Sequence, residues 1–381
     1  MIHTGIANLP LHGGKAPKWL FKRMVKLSKS IAEIIICEYG KKEFLIRLSD
    51  PFWFQALSCV LAWDWHSSGA TTVTCAALKE ALDPEAYGFA ITGGKGKASR
   101  KTLQEIEDIG DKYNITTYSI DKLKYSSKMS AKIDNTAVQD GHNLYHHVFL
   151  FTEDKKWAVI QQGMCTKTNY ARRYHWFYEK VDDFVCEPHS AIIADIKKDR
   201  ILNMTSKFSK SSQKISVDLV NDGLNNLKRD WANIIRSNNQ KTLDNWIYPN
   251  HKDKSIICLD MPKSINWVKL REIYDFQPRN YEEFLGIKGV GPNTVRALAL
   301  ISELIYGEKP SWNDPVYKFT FAHGGKDGVP HEVDLPTYSN SISFLKNAIE
   351  NAKIKDKDRL NLLKRLRNIP EMRDIIEIPN N

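Results

Sequence analysis

The sequence contains no run of about 18 apolar residues, so it offers no membrane-spanning helix, and no membrane partner is expected. Its first residues lack the apolar stretch of an export signal, and a cytoplasmic location is expected. The six cysteines, Cys37, Cys59, Cys75, Cys165, Cys186 and Cys258, lie far apart and form no CxxC pair. That spacing gives a zinc ribbon or an iron–sulfur cluster no support and fits a reducing compartment. No GxxxxGK[ST] segment occurs either, so no nucleotide cofactor is expected. Internal repeats and low-complexity tracts are missing. What remains is a globular composition, 42% hydrophobic and 26% charged over 381 residues, which excludes wholesale disorder and leaves room for two or three domains. Fifty-five Lys and Arg against forty-five Asp and Glu give a net charge of +10, which favours a polyanionic partner.

Near the N-terminus a Gly13-Gly14 turn runs into Ala16-Pro17 and then a helical pattern. Leu20, Met24, Leu27, Ile31 and Ile34 form its buried stripe, while Lys18, Lys22, Lys26 and Lys29 line another face with Arg23 beside them. The lysines serve either a phosphate backbone or solvent alone. Residues 43–48 read as a short strand or a helix start, and Asp50-Pro51 caps a core helix carrying Phe52, Trp53, Phe54, Leu57 and Val60. A polar, aromatic loop follows over 64–72, where Trp65 and His66 offer stacking surfaces for bases, and then a helix near 75–82. The stretch Thr92–Lys101, with Lys95 and Lys97, reads as a cationic glycine loop suited to sugar-phosphate, before a helix over 102–109.

Polar chemistry concentrates between 128 and 176. Two β-rich runs, Tyr145–Phe151 and Trp157–Met164, flank a charged turn and predict a hairpin. If Phe151 opposes Trp157, then Phe149 meets Val159, Val148 meets Ile160, His147 meets Gln161 and His146 meets Gln162. Alternation puts His146 and His147 on opposite faces, which argues against a clamp of both on one metal. One histidine, one glutamine, and Asp140 or Asp134 are expected at the open end, a set suited to general acid–base work or to a divalent Mg or Mn ion. Downstream, Arg172 and Arg173 suit phosphate forks, and His175 adds an imidazole.

Ser206–Lys214 reads as a polar cationic linker, within a helical connector expected over 201–262. The segment Phe284–Leu300 resembles the helix-hairpin-helix DNA-binding motif, in which a glycine–hydrophobic–glycine turn joins two short helices. Gly289 and Gly291 permit the turn, and the amides near Gly291, Asn293 and Thr294 would hold a phosphate, with Lys288 and Arg296 adding charge. Such hairpins occur in base-excision glycosylases, whose aspartate lies some way beyond the turn. Asp314 stands at a comparable place and is the alternative catalyst, although an aspartate before proline is also a common helix cap. Asn293 replaces the lysine of bifunctional glycosylases, which argues against a Schiff-base lyase.

The same hairpin, the glycine loop Phe319–Pro330, Thr4–His12, Tyr145-His146-His147, Gln161–Met164 and Ala171–Trp176 together resemble the prokaryotic domain-of-unknown-function family 763 over nearly the whole chain. That resemblance implies an archaeal or bacterial origin and a shared hairpin, and no mechanism. The expected architecture is an α+β portion with a small antiparallel sheet over 1–200, the connector, and a mainly helical domain over 263–381 holding the helix-hairpin-helix. The expected activity is DNA processing, first as a nuclease with Asp140, His146, His147, Gln161, Gln162 and His175 as candidate reacting groups. A glycosylase using Asp314 and a non-catalytic DNA binder are the alternatives.

Overall fold

A computed structural model describes residues 5–6, 9–11, 16–61, 67–237, 261–262 and 264–316, with 343, 346, 347 and 350. Strand β1 (Gly5–Ile6) precedes α1 (Lys18–Ser49), α2 (Pro51–Val60), α3 (Ser68–Ala81) and the short α4 (Pro84–Tyr87). Then come β2 (Phe89–Lys95), α5 (Thr102–Lys112), α6 (Thr117–Thr136), β3 (Val138–Gln139), β4 (Asn143–Thr152), β5 (Trp157–Cys165), β6 (Tyr170–Phe177), β7 (Ala191–Ala194) and β8 (Leu202–Asn203). The described helices end with α7 (Lys210–Asn221), α8 (Leu224–Ser237), α9 (Trp267–Phe276), α10 (Tyr281–Gly286) and α11 (Pro292–Leu304). The chain is thus α+β with a small sheet, and no described helix is long and apolar enough to cross a membrane.

The sheet has six strands in the order β1-β7-β6-β5-β4-β2, antiparallel except where β1 runs parallel to β7. Its central hairpin has the expected register, with Phe151 opposite Trp157, His147 opposite Gln161 and His146 opposite Gln162, and a bulge between Leu144 and His146. Side-chain alternation divides the apolar residues between two cores. Val148, Leu150, Ala158, Ile160 and Phe177 pack under α1, α2 and α3. On the other face, Phe149, Phe151, Val159 and Trp176 belong to a cluster that reaches Ile133 of α6, Leu270 of α9, Phe284 of α10 and Leu298 of α11.

Several local readings change. Residues 43–48 are helical, the last part of α1 beyond a break at Gly40, whose φ of 86° interrupts the helix. Asp50 caps α2 as expected, accepting from the amides of Phe52 and Trp53 at 2.7 and 3.1 Å. The glycine stretch after Thr92 is the end of edge strand β2, which pattern reading missed because Gly93 and Gly94 break the apolar alternation. Gly93 is required there: its φ is +84°, and a Cβ would lie 2.3 Å from the His147 carbonyl oxygen. The Ser206–Lys214 segment forms a 3₁₀ turn and the first turn of α7 in place of a linker. Trp65, His66, the Gly13-Gly14 turn and the 319–330 loop lie outside the described residues.

Candidate functional site

Strand β6 is the main surprise. The segment carrying Arg172, Arg173 and His175 is a central strand, and all three side chains are fully buried. Alternation sends Arg172 and Tyr174 toward α6, and Arg173 and His175 toward α2 and α3, so the arginines serve different faces.

On the α6 side lie two polar groups. In the first, Arg172 binds Asp314 through both terminal nitrogens at 3.0 and 2.8 Å, and its Nη1 also reaches Asp140 Oδ2 at 3.0 Å. Asp140 accepts as well from the Tyr174 hydroxyl at 2.5 Å and the His142 amide at 2.9 Å. Asp314 takes further amides from Lys198 and Val316. Burial alone would raise the Asp140 carboxyl, yet Arg172, His142 and Tyr174 hold it well below the usual carboxylate range. Arg172 is therefore a tie between two carboxylates, with no fork left for a phosphate. Asp140 and Asp314 are bound likewise, a poor state for a base or a glycosylase catalyst.

The second group is a chain of hydrogen bonds from α6 to the hairpin. His147 Nε2 lies 2.9 Å from Ser127 Oγ, and its Nδ1 lies 2.7 Å from Gln161 Oε1. Gln161 Nε2 donates to the Ser130 carbonyl at 3.0 Å and to Asp134. Asp134 also accepts from Trp176 Nε1 at 3.0 Å and contacts His189 Nε2. Because a carbonyl and a carboxylate only accept, the Gln161 nitrogen must face them and its oxygen must face His147. Burial lowers the His147 imidazole, and the Gln161 contact opposes this only in part, so the ring is neutral at physiological pH. Its proton then sits on Nδ1, and Nε2 is left to accept.

The opposite face carries Lys95, His146, Gln162 and Arg173, register partners across four strands. Gln162 is fixed by Thr71, Tyr145 and the Ser68 carbonyl. Arg173 bonds Thr71 and Gln55 at 3.3 and 3.1 Å and sits 4.9 Å from the Phe54 ring centre. Burial, despite nearby Cys75 and Cys59, pulls its guanidinium down to about 10. His146 has no hydrogen-bond partner at either ring nitrogen among the described residues, and burial, with His147 and Lys95, pushes it to about 3. His175 packs edge-on to Phe54 and is likewise held neutral by burial. The candidate histidines thus divide between two faces, and no group of three or more His, Cys, Asp or Glu side chains able to hold a metal occurs among the described residues. The expected Mg or Mn ion finds no such set of ligands there.

The turn after α10 completes the picture. Gly289 has φ +96°, and a Cβ there would lie 2.8 Å from the Lys269 chain. Gly291 caps α11 with no side-chain bond to its first amides, and Asn293 is exposed. Lys132 of α6 donates to the Val290 carbonyl, and Gln139 joins the turn to Arg296 at 2.8 Å while donating to the Pro292 carbonyl. Burial, then Lys128 and Lys269, lowers the Lys132 ammonium to about 8. With exposed Lys288, the turn therefore has Lys128, Lys132 and Lys288 near it, while Lys269 is paired with Glu272. Lys18 and Lys22 are exposed on α1, across the sheet from this turn, while Lys95 and Lys97 are exposed at the end of β2.

Ser127, Lys128, His142 and His189 were missed as site residues in the sequence. A signal existed for the first: Ser127, Ser130 and Asp134 recur at i, i+3 and i+7 along α6, a buried polar stripe at helical spacing. No curated protein and no solved structure matches the chain. Over residues 5–333 it matches the family described as protein of unknown function DUF763, and to that family the chain belongs.

Proposed function

We propose that this protein binds DNA along its phosphate backbone, without reading base sequence, and hydrolyses phosphodiester bonds. One observation carries the proposal: the turn at 286–294 leaves helix-terminal amides of α11 uncapped amid Lys128, Lys132 and Lys288. Uncapped amides at a helix start, the positive end of the helix dipole and lysines all favour one kind of ligand, a phosphate. The glycine–valine–glycine placement resembles that of a helix-hairpin-helix, which grips backbone phosphates through main-chain amides. Labelled duplex and single-stranded oligonucleotides, titrated by fluorescence anisotropy over a range of salt, test this. Affinity is expected to fall steeply with salt. Lys132→Ala is expected to weaken all DNA sequences alike and to flatten the log–log salt slope by about one. Salt-independent binding, or a slope untouched in a Lys132→Ala, Lys288→Ala double variant, overturns the assignment.

For the reaction, His147 is the base that the geometry favours. It is neutral, its tautomer is set by Gln161, and its free lone pair points at a hydroxyl. His147→Asn is expected to slow strand cleavage by about 10² to 10⁴ while leaving DNA affinity within a few-fold. Denaturing gels of single-stranded, duplex and flap substrates with Mg²⁺, Mn²⁺ or EDTA measure it, and cleavage at the wild-type rate removes His147 from the role. Glycosylase action through Asp314 is less favoured because Arg172 and two amides already occupy that carboxylate. Abasic sites formed in uracil- or hypoxanthine-bearing duplex would reverse the order. Bound DNA with no product under any divalent ion would mark a non-catalytic binder.

A further inference from the structure

Ser127 departs from what its neighbours do. Serines inside helices ordinarily return their hydroxyl to a carbonyl of the preceding turn. Ser126 does so with Lys122 at 3.0 Å and Ser130 with Ser127 at 3.0 Å, whereas the Ser127 hydroxyl turns to His147 Nε2 at 2.9 Å. The direction of that bond is forced, since the Gln161 amide is fixed by its two acceptors and keeps the imidazole proton on Nδ1. Ser127 therefore donates, and the serine–imidazole–amide relay has the order of an activated nucleophile: hydroxyl, base, orienting group. Asp134 anchors the amide and is itself held by Trp176 and His189, so the relay is locked from behind.

We propose that Ser127 is the nucleophile of the hydrolase, attacking a DNA phosphodiester and carrying the cleaved strand as a phosphoseryl ester. The inference rests on the DNA-hydrolase reading above and names the atom that makes the first bond. Oγ attacks phosphorus while His147 Nε2 takes the hydroxyl proton. The bond from phosphorus to the leaving strand's oxygen breaks, and that oxygen receives the proton from His147. Water then attacks the phosphoserine with His147 as base, the Oγ–phosphorus bond breaks, and Oγ recovers its proton. The sum is one phosphodiester and one water giving an alcohol and a phosphate monoester, with no electrons exchanged.

Position supports the substrate class. Ser127 is on the helix that also presents Lys128 and Lys132 at the glycine turn, and five residues of α6 span only about 8 Å. The rise between them is short, although Ser127 faces the sheet and Lys132 lies about 140° further round the helix axis. Ser127 and His147 are both buried; opposite His147 on β2 stands Gly94, and the Ala98 methyl lies 3.1 Å from where a Gly94 Cβ would be, so a substrate reaches the pair only when this flank parts. Next to Gly94 lies the cationic 3₁₀ turn Gly96–Lys101.

The test is a labelled duplex carrying a bridging phosphorothiolate, whose thiol leaving group cannot reverse the attack and so lets an adduct accumulate. Full-length protein is expected to yield a band that survives denaturation, mapped to Ser127 by peptide mass spectrometry. Ser127→Ala should melt within a few degrees of wild type, bind DNA as before, form no adduct, and cleave at least about a hundredfold more slowly. Cleavage that Ser127→Ala leaves intact while His147→Asn abolishes it overturns the nucleophile and spares the hydrolase reading. Wild-type protein that binds the DNA and never cuts it overturns both.

Discussion

Arg172→Ala is expected to lower stability by about 3–5 kcal/mol or more, enough to unfold a domain of ordinary stability. The substitution leaves Asp140 and Asp314, both fully buried at the side chain, facing each other without their shared cation. Two carboxylates left without their cation in a low-dielectric interior repel, and the neutral donors that remain, Tyr174 and His142 on Asp140 and two amides on Asp314, do not replace its charge. Tyr174→Phe removes only one donor to Asp140 and should cost about 1–3 kcal/mol. Urea unfolding followed by circular dichroism gives both numbers, and a loss below 1 kcal/mol for Arg172→Ala would refute a structural role. The tie has a pH signature as well. Asp140's folded pKa lies below its unfolded value of about 3.9, so its contribution is complete above that pH. It is lost only as the pH falls on into strong acid.

Acid weakness should nevertheless begin much earlier, through the histidines. His146, His147 and His175 are buried and held neutral, His146 down to about 3. Unfolded imidazoles take up protons below about 6.5, so in the window beneath that pH the unfolded state binds more protons and stability drops as pH falls. Each imidazole contributes about 1.4 kcal/mol per pH unit for as long as it stays neutral, His146 throughout this window. Near pH 5 His146 alone removes about 2 kcal/mol, a sizeable part of the stability of an ordinary domain. Urea midpoints at pH 7.5, 6.5 and 5.5 should show this slope, and His146→Gln should reduce it by about 1.4 kcal/mol per pH unit below the unfolded value. A flat profile from pH 7 to 5 would mean that these rings are already protonated in the folded protein.

The hairpin was readable because period-2 alternation is local: aligning Phe151 with Trp157 dictated every pair up to His146 and Gln162. The glycine turn and Pro292 at the start of α11 were readable for the same reason, since they are set by backbone sterics within a few residues. Arg172 and Arg173 misled because charge is ordinarily a surface signal. Nothing adjacent in the chain reveals that Arg172 will meet Asp314, 142 residues away.

Local sequence, then, determined the helical stripe of α1, the register of β4 on β5, the cap of α2 and the flexible glycines of the turn. Tertiary structure alone decided which partners each buried polar group found. Burial charges a desolvation cost to every polar group, and only neighbours brought from afar can offset it. Arg172 found two carboxylates and became a clamp, whereas His147 found one amide oxygen and one hydroxyl and kept a lone pair able to take a proton.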